Sequence, residues 1–202
     1  MSNPLRTMTD AKEVLLSILP TLASNGGVAN HGAEARYQLR VMSLLIDMCG
    51  LKMNQVDVES KFKLNGGLDV ALYSDAFVGD FNARNNSAEM VKNVRMLIEI
   101  KSVLVNGLNT NPSKSNTRLS SGTIVKDIEK LIDTRKFLAE QGTNVATALM
   151  VFDTTEHNNL RLTQKSLSTI IEKSEAARVD FFYFTSDKLT PYFNDPDHRN
   201  AA

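Results

Sequence analysis

The run Met96-Leu97-Ile98-Glu99-Ile100-Lys101 constrains this chain more than any other feature. Its apolar density is that of a central strand covered on both faces. Side chains two apart on a strand share a face, so Glu99 and Lys101 point one way while Ile98 and Ile100 point the other. Charges inside an apolar strand are costly unless they pair or bind a metal. The segment therefore needs partners from elsewhere in the chain.

The nearest candidates lie upstream. From Gln55 the apolar spacing becomes two: Val56, Val58, Phe62 and Leu64 fall on one side, and Asp57, Glu59, Lys61 and Lys63 on the other, as on a strand with one wet face. Asn65-Gly66-Gly67 is a turn signal, and Leu68–Tyr73 follows as a second strand, which predicts a hairpin. Asp69 occupies the face opposite Leu68, Val70 and Leu72. If this strand neighbours the first-named run, Asp69, Glu99 and Lys101 converge. Glu59-Ser60-Lys61 is a second Glu-x-Lys triplet, but it lies on the alternating strand, where solvated charges are ordinary, and it precedes Asp69; the site is assigned to Glu99 and Lys101.

Helical spacing governs the N-terminal part, about residues 9–50. Thr9 or Asp10 can cap a helix carrying Val14, Leu15, Ile18, Leu19 and Leu22, which Pro20 should kink or stop early. A second helix is predicted from His31 to Met48, with Ala35, Leu39, Met42, Leu45 and Ile46 on its inner face. Beyond the run at 96–101, residues 105–121 read as a long polar loop containing Lys114 and Arg118. A helix starts near Gly122, with Ile124, Ile128, Leu131 and Leu138 inward and Lys126, Asp127, Lys130 and Asp133 outward. Val145–Phe152 is a strand, Leu167–Ala176 a helix and Val179–Phe184 a last strand; the tail from Asp187, with Pro191 and Pro196, reads as peripheral. The sum is an α/β chain with a mixed sheet flanked by helices, one domain over 1–202 with its core at about 55–152 and a helix–strand unit at 163–185. The strand at 96–101 and the one after its crossover helix should be parallel.

With 202 residues and 42% hydrophobic content the chain can build one substantial core. Its 23 basic and 23 acidic residues balance, yet residues 91–136 hold nine basic groups against four acidic ones, a segment that could face phosphates. The single cysteine, Cys49, sits among Leu45, Ile46 and Met48 and cannot form an internal disulfide, which fits a reducing compartment. The N-terminus lacks a signal-peptide run and no stretch approaches a membrane span, so a cytoplasmic protein is expected.

Two carboxylates with a backbone carbonyl and waters make a hard oxygen shell that suits Mg²⁺. Such an ion activates water and stabilises charge on a phosphate, and a nearby lysine can assist as base or charge stabiliser. His31, His157 and His198 lack zinc-ligand spacing, and the stretch from Asp153 to His157 fits no motif. There is no Gly-rich phosphate loop, no GxSxG elbow and no cysteine nucleophile with an assigned histidine, and ATP use is not expected.

The aspartate in GGLDVALY, the triplet in LIEIKS and the following helix in SGTIVKDIEKLI resemble, in that order, the PD-(D/E)XK nuclease superfamily, over roughly Glu34 to Phe152. Leu68 stands where the name-giving proline would be. The resemblance implies a restriction endonuclease-like core in which Asp69 and Glu99 are metal ligands and Lys101 is the catalytic lysine. Glu34 in HGAEARYQL matches a further ligand or water-holding glutamate, though a glutamate at a helix start is also favoured by the helix dipole. Lys126, Lys114 and Arg118 become candidates for substrate contact.

The function so implied is a Mg²⁺-dependent endonuclease acting on DNA, with Mn²⁺ as a possible substitute. Two alternatives stay open: a module of the same fold that binds DNA or a protein partner without cutting, and an RNA-cutting enzyme. A homodimer would place two sites about a two-fold axis, an argument by analogy.

Overall fold

The computed structural model describes residues 5–24, 34–60, 62, 67–75, 77, 88–102, 121–153, 162–185 and 189–192. Its frame is one six-stranded sheet whose strands lie side by side in chain order: β1 (Val56–Ser60), β2 (Leu68–Tyr73), β3 (Val94–Ser102), β4 (Ala146–Asp153), β5 (Asp180–Thr185) and β6 (Leu189–Tyr192). The first three strands form an antiparallel meander. β3, β4 and β5 run parallel, and β6 returns antiparallel at the edge. The chain is thus α/β with a mixed sheet flanked by helices, as the order of periodicities requires.

Alternation along β3 builds two cores. Met96, Ile98 and Ile100 pack with helices α1 (Met8–Ser24) and α2 (Glu34–Cys49) on one face, together with Val70, Leu72, Ala148 and Met150. Leu97 packs on the other face with Ala71, Leu149 and Val151, against α4 (Ser121–Glu140) and α5 (Gln164–Ala177). A short helix, α3 (Ala88–Asn93), leads into β3. Among the described residues no helix is long and apolar enough to cross a membrane.

Several elements depart from expectation for identifiable reasons. α1 starts earlier because Thr7 caps it: Thr7 Oγ1 accepts from the Asp10 amide at 3.1 Å, and Asp10 Oδ2 accepts from the Thr7 amide at 2.7 Å, a reciprocal capping box. Pro20 does not stop it, since Leu19 and Leu22 beside it are buried and hold the helix against the sheet. The buried face of α2 is Tyr37, Gln38, Val41, Leu44, Leu45 and Cys49, while Leu39 is 57% exposed and Ala35 is exposed. Tyr37 fixes this rotation by stacking on Phe152, with ring centroids 4.2 Å apart. β1 ends at Ser60, short of Leu64, after Glu59 takes a left-handed backbone (φ 57°). The tail supplies β6, with Pro191 opposite Phe182; only an edge strand tolerates a proline that cannot donate to a ladder. The loop with Lys114 and Arg118, the Asn65-Gly66 turn and all three histidines lie outside the described residues.

Candidate active site

The site begins where two strands part. Pairing of β2 with β3 runs from Tyr73–Val94 to Val70–Ile98, and one step further the Asp69 side chain enters the gap. Its Oδ2 accepts the Ile100 amide at 2.6 Å, taking up a main-chain donor inside the split, and its Oδ1 accepts Gln38 Nε2 at 2.7 Å. A carboxylate that ties a strand amide and a helix side chain together is held rigidly. Glu99 lies on the same stretch of β3 and is 1% exposed; Asp69 is 6% exposed.

Two lysines close the cluster. Lys101 Nζ stands 3.2 Å from Glu34 Oε2 at the start of α2 and 3.4 Å from Asp127 Oδ2 on α4. Lys130, one turn further along α4, places its Nζ 2.7 Å from Glu99 Oε1. Neither that oxygen nor Asp127 Oδ2 has an aligned hydrogen bond, so both contacts are ion pairs by distance. Gln38 Nε2 also reaches Glu59 Oε1 at 3.3 Å, which links the left-handed residue of β1 to the cluster.

The electrostatics follow from this crowding. Burial pushes the Glu99 carboxyl up to about 8, the neighbouring Asp69 adds to the rise, and Lys130 opposes it. Burial also raises Asp69 against the pull of the Ile100 amide and Gln38. Glu34 and Asp127 rise by burial, each opposed by Lys101. Burial lowers the Lys101 ammonium, but Asp127, Glu34 and Asp69 together outweigh it and hold the group above its ordinary value. Lys101 is therefore a cation near neutrality.

Glu34, Asp69, Glu99 and Asp127 against Lys101 and Lys130 leave two negative charges formally uncompensated when all are ionised. One divalent cation would balance them. Among the described residues no three Asp, Glu, His or Cys side chains form a ligand group by themselves. Asp69 and Glu99 nevertheless fit a hard cation that keeps several waters and takes only one or two carboxylates, as Mg²⁺ does.

The structure thus brings together Asp69, Glu99, Lys101 and Glu34, four of the residues singled out in the sequence. Lys126 is exposed on α4 and forms no ion pair among the described residues; its neighbours Asp127 and Lys130, expected on the outside, turn to the cluster instead. Gln38 is the other missed member. The signal was there in part: Gln38 follows Glu34 by one helical turn, and Asp127 and Lys130 are three apart beside Ile124 and Ile128. Asp153 is committed elsewhere, accepting from Tyr183 Oη at 2.5 Å and from the Leu162 amide at 2.8 Å. A cavity of about 500 Å³ between α3 and the end of α4, lined by Val91, Lys92 and Phe137, shares no residue with the cluster.

No family model, curated protein or solved structure matches this chain.

Proposed function

We propose that this protein is a metal-dependent nuclease of the PD-(D/E)XK type that hydrolyses phosphodiester bonds in DNA, most simply as an endonuclease. The observation that carries the reading is the placement at the β2–β3 split of two buried carboxylates that crowd one another, Asp69 and Glu99, beside the half-buried Lys101. Asp69 and Glu99 would hold a Mg²⁺ or Mn²⁺ ion, whose chemistry there is to acidify a water and to stabilise charge on the phosphate. Gln38 and the Ile100 amide keep the Asp69 carboxylate aimed. Lys101, braced by Glu34 and Asp127, offers a fixed positive charge to a phosphoryl oxygen. Glu34 is suited to orienting water or completing an ion's shell. Lys126, exposed on the same helix as Lys130, and Lys114 and Arg118 in sequence are candidates for backbone phosphate contacts, which would make binding salt-dependent. The buried thiol of Cys49, 3.3 Å from Ser17 Oγ, suits a reducing cytoplasm. A homodimer acting on both strands is part of the same proposal.

A second reading has its own support: every carboxylate of the cluster already has a lysine or amide partner, as a structural charge cluster in a non-cutting binding module would. Incubation with supercoiled plasmid, linear duplex, single-stranded DNA and RNA, in Mg²⁺, Mn²⁺ or chelator, separates the two. Metal-dependent cutting that falls by about 10²-fold or more in Asp69→Ala and Lys101→Ala is expected. Cutting that survives both substitutions places the chemistry elsewhere, and folded wild-type protein that binds DNA without cutting any substrate supports the second reading.

A further inference from the structure

The two lysines of the cluster are held differently. Lys101 is braced by two carboxylates on different helices, Glu34 at 3.2 Å and Asp127 at 3.4 Å, and its side chain is 18% exposed. Lys130 has a single ion-pair partner among the described residues, Glu99, and its side chain is 24% exposed, so the ammonium has a route to solvent. Glu99, 1% exposed, has no such route. The Lys130–Glu99 contact, like that of Lys101 with Asp127, is an ion pair by distance, with neither Glu99 Oε1 nor Asp127 Oδ2 given an aligned donor; the firmer hold on Lys101 comes from its second partner, Glu34. A cation entering beside Glu99 therefore meets a positive charge already in place, attached by one undirected contact on a flexible four-carbon stem.

We propose that Lys130 is the resident counter-cation of Glu99, which a divalent ion must displace, and that it thereby sets the metal affinity of the site. The inference rests on the nuclease reading only in taking Asp69 and Glu99 as the ion's ligands. The physical argument is substitution of like for like: Glu99 must be ionised to hold a cation, its buried carboxylate then needs a positive neighbour, and an ammonium and a divalent ion cannot both stand against the same oxygen without repelling. Lys101 is excluded from this role because leaving would strip two carboxylates of their partner. Lys130 is consequently a positioning and gating residue rather than a catalytic one, and its exit makes an added positive charge available at the mouth of the site at the moment the ion is loaded.

Mn²⁺ binding to the full chain, followed by calorimetry or by the loss of the free-ion electron paramagnetic resonance signal, tests this without reference to cutting. Lys130→Gln should bind Mn²⁺ about tenfold more tightly than wild type, a factor of the size that removal of one close charge gives. Lys130→Arg, which keeps the charge, should stay near wild type, and Lys126→Gln, one turn away and exposed, should change affinity by less than about twofold through screening. Should Lys130→Gln prove too unstable for titration, its thermal midpoint should rise more on Mn²⁺ addition than that of wild type. Binding equal to or weaker than wild type in Lys130→Gln, with wild type binding normally, overturns the inference while leaving the nuclease reading intact. Failure of wild type and variant alike to bind Mn²⁺ overturns both. Equal tightening in Lys126→Gln reduces the effect to bulk charge and overturns the specific role.

Discussion

Gln38 shows how much one side chain can fix. Its amide donates to Asp69 Oδ1 at 2.7 Å and to the exposed Glu59 Oε1 at 3.3 Å, and it is 8% exposed, so its removal leaves the buried Asp69 Oδ1 short of a donor. Gln38→Leu should destabilise the fold by about 1–3 kcal/mol, the cost of an unsatisfied buried polar group, read as a lowered urea midpoint with an unchanged slope. An unaltered midpoint would mean that water serves Asp69 equally well. Glu99 makes the opposite kind of prediction. Its folded carboxyl titrates at about 8 against an ordinary 4.5, so across that window the native protein holds a proton that the unfolded chain has lost. A raised carboxyl contributes stability below its unfolded value and loses it as pH climbs towards the folded one. Metal-free protein should thus lose on the order of a few kcal/mol between pH 5 and pH 8. Glu99→Gln should flatten that slope in urea titrations at both pH values; a slope unchanged by the substitution assigns the dependence to Asp69, Glu34 or Asp127, which burial moves in the same direction.

Elements report the limits of periodicity. The strands are legible because β2, β3 and β4 are apolar over most of their length, and the charged exceptions Asp69, Glu99 and Lys101 mark the candidate site through their misfit. Rotation of the helices was not legible. A pattern of apolar residues placed Leu39 inward, whereas the Tyr37–Phe152 stack and the Gln38–Asp69 bond turn α2 so that Leu39 faces out. The same blindness hid Asp127 and Lys130, whose inward turn has meaning only once Lys101 and Glu99 are known to lie opposite. Two substitutions test these rotations. Leu39→Gln should change stability by no more than about 0.5 kcal/mol, as at an exposed position, while Leu45→Ala on the buried face should cost about 2–5 kcal/mol. Equal costs would refute the rotation. In α1, Pro20 occupies a helix interior where it supplies no amide and crowds the preceding turn, yet it is exposed. Pro20→Ala should raise the thermal midpoint, by an amount equivalent to about 1–3 kcal/mol, and a lowered midpoint would mean that the proline itself contributes to the packing of α1.

At the scale of the molecule, the sheet divides its labour. The candidate site lies at the split between β2 and β3, whereas β6 closes the far edge by pairing with β5, whose Phe181, Phe182, Tyr183 and Phe184 are all buried. β5 without β6 would present unpaired amides and carbonyls along an aromatic strand, a template for association with other chains. Thr190-Pro191 hides this strand from a reading of the sequence, because a proline demotes any run to edge strand or tail. A chain truncated after Ser186 should therefore unfold at lower urea and form aggregates whose light scattering grows with protein concentration. The fraction that remains folded should keep the metal affinity of the full chain, since three strands separate β6 from the Asp69 split. A truncated chain that stays monomeric with an unchanged urea midpoint would remove β6 from the sheet's stability, and a loss of metal affinity in folded truncated protein would show that the edge and the site are coupled through β4 and β5.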